Sequence, residues 1–560
     1  MNSRELTQTD RMVILAIGLA GALMFLPGII LGLMIYAAAD RLKNKKWMVY
    51  AAVAAAVTVV ILNVKDFNML ILDYFKLILE AYKSLFNSKI PHNLDWKVLI
   101  KVGIPVGFIL SLMIELYTAA QPEWVKKRKE IGKNKEIDFS ERLVKKLEKL
   151  SQPDDGTLIG IDEAANAVKI TDEELNGHCL VLGATGAGKT TTLMNFIESA
   201  VRRRLPVIIV DGKGEIGFAE KVKNMAEKYS QKFYLFSMAV QEKSTHYNPL
   251  KIGNFTELKD KIISLSDWTE PHYKFLSERY LQSAIKILQK TNNRVDLVNI
   301  SKKLNYNALL EEAKRLVREG RMDKSEYDAF YDMIESAKKD INGLVNRLAV
   351  FSESEIGELL SDTEDESTID LINCIEENAV VFFSLDALRF SEYSRLLGKL
   401  IVIDLKTTAA RMFGRSKKVF TIFDEFGVFA GPQVTDFINK SRAAGFHVIL
   451  STQELADLRI EGKTELMEQI LGNTNVKIIH RQDVPVSAEL LSSLIGTKDD
   501  ITVTMQVNEI SPTGMGTVKE EKSFIVHPDE IKRLKRGEAF VVKKFPEFFV
   551  KKVLVKKYSQ

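Results

Sequence analysis

Two cysteines in 560 residues leave no material for a disulfide framework. Cys179 and Cys374 each sit inside an apolar run, far apart, with no second thiol or histidine at metal-ligand spacing. They read as reduced core residues of a cytosolic domain, which excludes a cysteine-based metal site. Charge of one sign is also scarce. The formal net charge is only +4, so no global basic excess announces nucleic acid. A local basic stripe or pore would be diluted in that total, and DNA stays admissible as a partner. No internal repeat is present. No LSGGQ-like stretch lies between the glycine-rich loop at 183–190 and the acidic pair at 424–425. That argues against a solute transporter of the ATP-binding-cassette type.

What the chain does have, at its start, is long runs without charge. Met12 to Ala39 is apolar and contains Pro27. At about 1.5 Å per residue it is long enough to cross a ~30 Å hydrocarbon layer when tilted. It is too long for the apolar part of a signal peptide, and a second uncharged run, Trp47 to Val64, follows. A third, Val98 to Ala119, holds Lys101 and Glu115 near its ends, where both can snorkel. Arg41, Lys43, Lys45 and Lys46 lie between the first two runs, and Lys126 to Lys129 follow the third. Three spans with an outside N-terminus put both basic clusters in the cytoplasm. Asp66 to Phe86 reads instead as an interfacial helix, because Asp73, Lys76, Glu80 and Lys83 recur every three or four residues.

After Lys135, short β-rich runs alternate with helical ones, which predicts an α/β domain with a mostly parallel sheet. Strands are expected at 179–183, 206–210, 232–236, 379–385, 419–423, 447–451, 476–480 and 539–542. From about Phe255 to Asp362 the β signal gives way to helical periodicity, an all-α insert. The expected organisation is a membrane anchor over 1–125, the nucleotide-binding domain over 126–254 and 363–560, and the insert over 255–362.

Gly183-Ala184-Thr185-Gly186-Ala187-Gly188-Lys189-Thr190 fits G-x-x-x-x-G-K-[ST] in full, between an expected strand and an expected helix, with Thr191 next. Glycines let backbone N–H groups curl around phosphate oxygens, and the helix N-terminus adds partial positive charge. In such a loop Lys189 reaches the β- and γ-phosphates of ATP, and the Thr190 hydroxyl helps hold Mg²⁺. VFTIFDEF ends an apolar strand in Asp424-Glu425. Asp424 is expected to orient the Mg²⁺ ligands and Glu425 to polarise the attacking water. Gln453, at the end of the following strand, suits a γ-phosphate or water sensor. Arg442, before that strand, suits an arginine finger. Asp211-Gly-Lys-Gly-Glu215 follows the PVIIV strand and faces the same crevice.

Taken together, these residues resemble the type IV coupling proteins of bacterial conjugation and type IV secretion, within the broader FtsK/HerA class of DNA-pumping ATPases. The resemblance runs through the N-terminal anchor, GATGAGKTTT, DGKGE, the YNPL of Tyr247–Leu250, the helical insert, FDEF, SRAAGFHVILSTQ and HPDEIKRLKRGEAFVV. It implies a RecA-like P-loop ATPase domain with an all-α insert, assembled as a homo-hexamer with ATP at subunit interfaces. It implies that Arg442 acts on the neighbour's ATP and that Gln453 is the family's glutamine. It also implies a bacterial inner-membrane, multi-pass location, a relaxase–DNA substrate, docking on the secretion channel, and single-stranded DNA as cargo. The family's common pattern is two spans with both termini inside, from which the three-span reading departs. Two other readings compete: a double-stranded DNA pump for chromosome segregation, and a receptor that recruits protein substrates to a secretion channel.

Overall fold

The computed structural model describes residues 67–86 and, with short breaks, 141–558. The uncharged runs at 12–39 and 47–64 lie outside the described residues, as does nearly all of 98–119. No helix among the described residues is long and apolar enough to cross a membrane. The chain divides into two units, Met1–Glu136 and Ile137–Gln560.

In the first unit the described element is one helix, α1 (Phe67–Phe86). Asp73, Lys76, Glu80 and Lys83 are all exposed along it, as the spacing predicts. Met69, Leu72 and Leu79 are exposed as well, while Tyr74 and Ile78 are buried.

The second unit is built on one wide sheet. Seven parallel strands form one half of it: β3 (Cys179–Leu182), β4 (Val207–Asp211), β5 (Phe233–Ser237), β6 (Val380–Ser384), β7 (Val419–Asp424), β8 (Phe446–Thr452) and β9 (Val476–Ile479). Their order is β9-β3-β8-β7-β4-β6-β5. Most are continuous apolar runs because both faces are covered, as parallel strands require. Alternation along each strand feeds two core layers. Cys179, Val181, Val207 and Ile209 join the cluster that includes α2 (Lys189–Arg202) and α3 (Ile216–Lys228). Leu180, Leu182, Ile208 and Val210 join the opposite cluster, with α4 (Phe255–Ile263), α5 (Ser391–Arg411) and α6 (Pro432–Ser441).

Beyond β9 the sheet turns antiparallel. β12 (Glu538–Lys543), β13 (Phe549–Val555), β1 (Gly156–Asp162) and β2 (Ala167–Thr171) extend it in that order. A separate hairpin, β10 (Thr497–Asn508) with β11 (Ser511–Phe524), pairs from Thr497↔Phe524 to Asn508↔Ser511.

Between Phe255 and Leu360 the described elements are helices and one 3₁₀ turn. The chain leaves and returns side by side, with Tyr247 bridged to Ile369. The YNPL stretch anchors this junction. The Tyr247 hydroxyl donates to Asp404 Oδ2 at 2.8 Å, and the buried Lys261 Nζ donates to Asp404 Oδ1 at 2.7 Å and to Pro249 O at 2.8 Å. A buried ammonium is tolerable only with such partners, so these contacts tie α4 to α5 and to the junction.

Candidate functional site

The chain leaves β3 through Gly183 and enters α2 at Lys189. A Cβ at Gly183 would lie 2.6 Å from His480 Cβ, so only glycine lets the loop pass the end of β9. Gly186 and Gly188 take φ of 76° and 127°, the left-handed region that side chains disfavour. The loop is tied down at both ends, by Ala184 N donating to Arg481 O and by Gly537 N donating to Ala187 O. The free N–H groups at the start of α2 therefore point at one fixed place, as an anion cradle requires.

Lys189 is buried, and its Nζ donates to Gly183 O at 2.6 Å. Burial lowers its pKa, and the nearby Glu425 carboxylate opposes that shift. His480, fully buried under the loop, bonds Thr192 Oγ1 at 2.9 Å and Glu538 O at 2.9 Å. Burial pushes its pKa down to about 4, so the ring is neutral at pH 7.

Three adjacent strands deliver the remaining groups at their C-terminal ends. β7 brings Asp424 and Glu425, β8 brings Ser451 and Gln453, and β4 brings Asp211, in register opposite Asp424. Ser451 Oγ donates to Asp424 Oδ1 at 2.8 Å, and Glu425 N donates to the same oxygen at 3.0 Å. Asp424 Oδ2 is left without a donor among the described residues. Burial raises the Asp424 pKa. Asp211 is pushed up to about 7 by burial and by the charge of Asp424. Its two oxygens accept from Lys213 N at 2.9 Å and Glu215 N at 3.0 Å, so Asp211 shapes the DGKGE turn rather than lining the cleft.

Glu425 is the meeting point. Its backbone is left-handed, with φ of 50°, a conformation that costs a non-glycine residue about 1–3 kcal/mol. Its Oε1 accepts from Lys213 Nζ at 2.7 Å and from Gln453 Nε2 at 3.1 Å, and lies 3.9 Å from Lys189 Nζ. Gln453 Oε1 in turn accepts from Thr185 Oγ1 at 2.8 Å, which joins the glycine loop to the end of β8.

A cleft of about 640 Å³ opens beside this cluster, and Lys189 and Lys213 are the members of the cluster that line it. Gly186, Gly188, Lys189, Thr190 and Thr191 form one side. Met194, Phe218, Val555 and Tyr558 form an apolar wall, and Lys213, Lys221, Arg536 and Lys557 supply positive charge against the single carboxylate of Glu215. The result is a cationic groove with an apolar flank, suited to a polyphosphate joined to a flat ring system. Sequence reasoning missed Arg536, Lys557 and Tyr558. They come from the antiparallel extension, where the run KRLKRG before β12 signals Arg536 and nothing local singles out Lys557 and Tyr558.

Among the described residues no group of three or more His, Cys, Asp or Glu side chains forms a metal cage. Mg²⁺ at phosphates takes one or two protein ligands and completes its shell with water and phosphate oxygen. Thr190 and the unpartnered Oδ2 of Asp424 fit that role.

Arg442 is not brought into this cleft. It is exposed in the 3₁₀ turn after α6, before β8. The seven residues of β8 separate it from the Gln453 end, about 23 Å at strand rise. It lies near Arg415, Lys417 and Lys418 at the N-terminal ends of β7 and β8, opposite the cleft.

A family model described as the type IV secretion-system coupling protein DNA-binding domain matches residues 164–555. The DNA import protein CedB of Sulfolobus acidocaldarius is 26% identical over 290 residues, which cover 51% of this chain and 41% of CedB. The type 4 coupling protein DotL of Legionella pneumophila is 23% identical over 379 residues, covering 56% of this chain and 48% of DotL. The chain thus spans less than half the length of these two relatives. A solved structure of the bacterial conjugative coupling protein TrwBdeltaN70, in an unbound form, aligns with 75% of this chain and 93% of its own, at 14% identity and a TM-score of 0.49.

Proposed function

Because this chain belongs to the type IV secretion-system coupling protein family, we propose that it is a membrane-anchored ATPase that drives DNA toward a secretion channel. It binds ATP with Mg²⁺ in the cleft above α2 and hydrolyses it at the contacts between copies in a homo-hexamer. Its cargo is single-stranded DNA presented with a relaxase. Its anchor is the set of runs at 12–39, 47–64 and 98–119 in the bacterial inner membrane, and the helical segment at 255–362 serves substrate recognition in the cytoplasm. CedB and DotL, named for DNA import and for coupling, support the transport reading by likeness.

One observation carries the enzymatic part: the glycine loop, the acidic strand end and the glutamine strand end converge on the Glu425 carboxylate. Backbone N–H groups of 186–190 and Lys189 hold the phosphates. Thr190 and Asp424 would hold Mg²⁺, which when bound would supply charge neutralisation at the phosphate oxygens. Glu425 accepts a proton from the attacking water, and Gln453 fixes that carboxylate and reports phosphate occupancy through Thr185. Arg442 stands about 23 Å from its own site, so its guanidinium serves a neighbouring copy.

The test is nucleotide turnover by the full-length protein in detergent. Lys189→Ala is expected to lose ATP binding and hydrolysis together. Glu425→Gln is expected to retain ATP binding while turnover falls by a factor of about 10² or more. Normal hydrolysis by Glu425→Gln would remove that residue from the catalytic role.

A further inference from the structure

The site has a second lysine that the motif at 183–190 does not account for. Lys213 sits in the turn after β4, and everything around it fixes the turn. Asp211 accepts from its backbone N and from Glu215 N. Gly214 is left-handed, with φ of 73°, and a Cβ there would meet Asp386 Cα at 2.6 Å. A Cβ at Gly212 would come within 3.1 Å of Glu425 O. A turn built this tightly fixes the backbone and presents the Lys213 side chain to the cleft, beside the exposed Glu215. The Lys213 side chain is 39% accessible, lines the phosphate cleft, and reaches Glu425 Oε1 at 2.7 Å. Burial pulls its pKa down, but the hydrogen bond and charge of Glu425 outweigh that and raise it, so the group is cationic throughout the physiological range.

We propose that Lys213 is a positioning residue that exchanges partners, holding Glu425 when no terminal phosphate is near and turning to the γ-phosphate of ATP when it is. Two acceptors compete for one ammonium. Lys189 is buried and donates to Gly183 O. Lys213 is the more accessible of the two, touches Glu425 and lines the cleft. Release of Glu425 then follows arrival of the third phosphate, and the carboxylate is freed for water only when there is something to hydrolyse. ADP carries no γ-phosphate and leaves the Lys213–Glu425 pair intact. This inference rests on the nucleotide site proposed above, but not on Glu425 being the catalytic base.

A double-mutant cycle on binding tests it without turnover. The affinities of a hydrolysis-resistant ATP analogue with Mg²⁺, and of ADP with Mg²⁺, are measured on four full-length proteins: wild type, Lys213→Met, Glu425→Gln and the double variant. Lys213→Met is expected to weaken the analogue about tenfold, the scale of one charge-assisted hydrogen bond, and to leave ADP within about twofold. Glu425→Gln removes the competitor and is expected to tighten the analogue several-fold. In the double variant that tightening disappears. Lys213→Arg, which keeps the charge, is expected to retain most of the discrimination. Additive effects in the cycle would overturn the proposal, as would equal losses for ADP and the analogue in Lys213→Met, since both mark a lysine that only holds the turn. ATP turnover by Glu425→Gln is a separate readout. If it is normal, the catalytic assignment fails and the exchange is judged by the cycle alone.

Discussion

At the scale of single residues, the site sets one buried acid against another. Asp211 and Asp424 end neighbouring strands in register, and burial raises both pKa values. For Asp211 the folded value is about 7 against 3.8 for the free side chain. The folded protein then binds a proton that the unfolded chain has released, so stability from this group is present below about pH 4 and lost as pH rises to about 7. Unfolding by denaturant at pH 5 and pH 8 is expected to show a smaller loss on going to pH 8 in Asp211→Asn than in wild type, by on the order of a few kcal/mol. An unchanged difference would mean that Asp211 is ionised throughout. The placement of Gly183–Thr190, Asp424-Glu425 and Gln453 at strand ends was legible in the sequence, because apolar runs announce those strands. Their convergence on Glu425 Oε1 was not, nor were the cations of the C-terminal extension. Local sequence carries no signal for a contact between residues more than 200 positions apart.

At the scale of elements, the parallel strands were readable because burial on both faces leaves continuous apolar runs such as VIIV in β4 and VVFF in β6. Of the antiparallel extension only β12 was, at 539–542. β2 reads AVKIT and β13 reads FVKKVLV, short segments whose charges conceal the pattern. The joint to the helical segment was also invisible, since a lysine in an amphipathic helix is ordinarily solvated. Here Lys261 is buried against Asp404, with Tyr247 on the other carboxylate oxygen. Asp404→Ala leaves that ammonium without its counter-charge, and a loss of about 3–5 kcal/mol is expected. Lys261→Met combined with Asp404→Asn is expected to recover most of it. Thermal unfolding of the two variants beside the wild type checks this. A single-variant loss that the double variant does not reduce would place the effect in packing rather than in the buried pair.

At the scale of the whole molecule, the account requires that one copy complete the site of another. Arg442 and the glycine loop lie at opposite ends of the strands β8 and β3, too far apart to act together within one chain. Arg442→Ala and Lys189→Ala are each expected to be inactive alone. Mixed in equal amounts before assembly, they should regain up to about a quarter of wild-type hydrolysis, the share of contacts that pair an intact loop with an intact arginine under random assembly. No recovery would mean that Arg442 acts within its own chain or only on folding. The most direct test of the central claim is the rate of ATP hydrolysis by the full-length protein without DNA, with single strands and with duplex. The account predicts strong stimulation by single strands that vanishes in Lys189→Ala. A hexameric, ATP-bound protein that responds to neither form of DNA would contradict it.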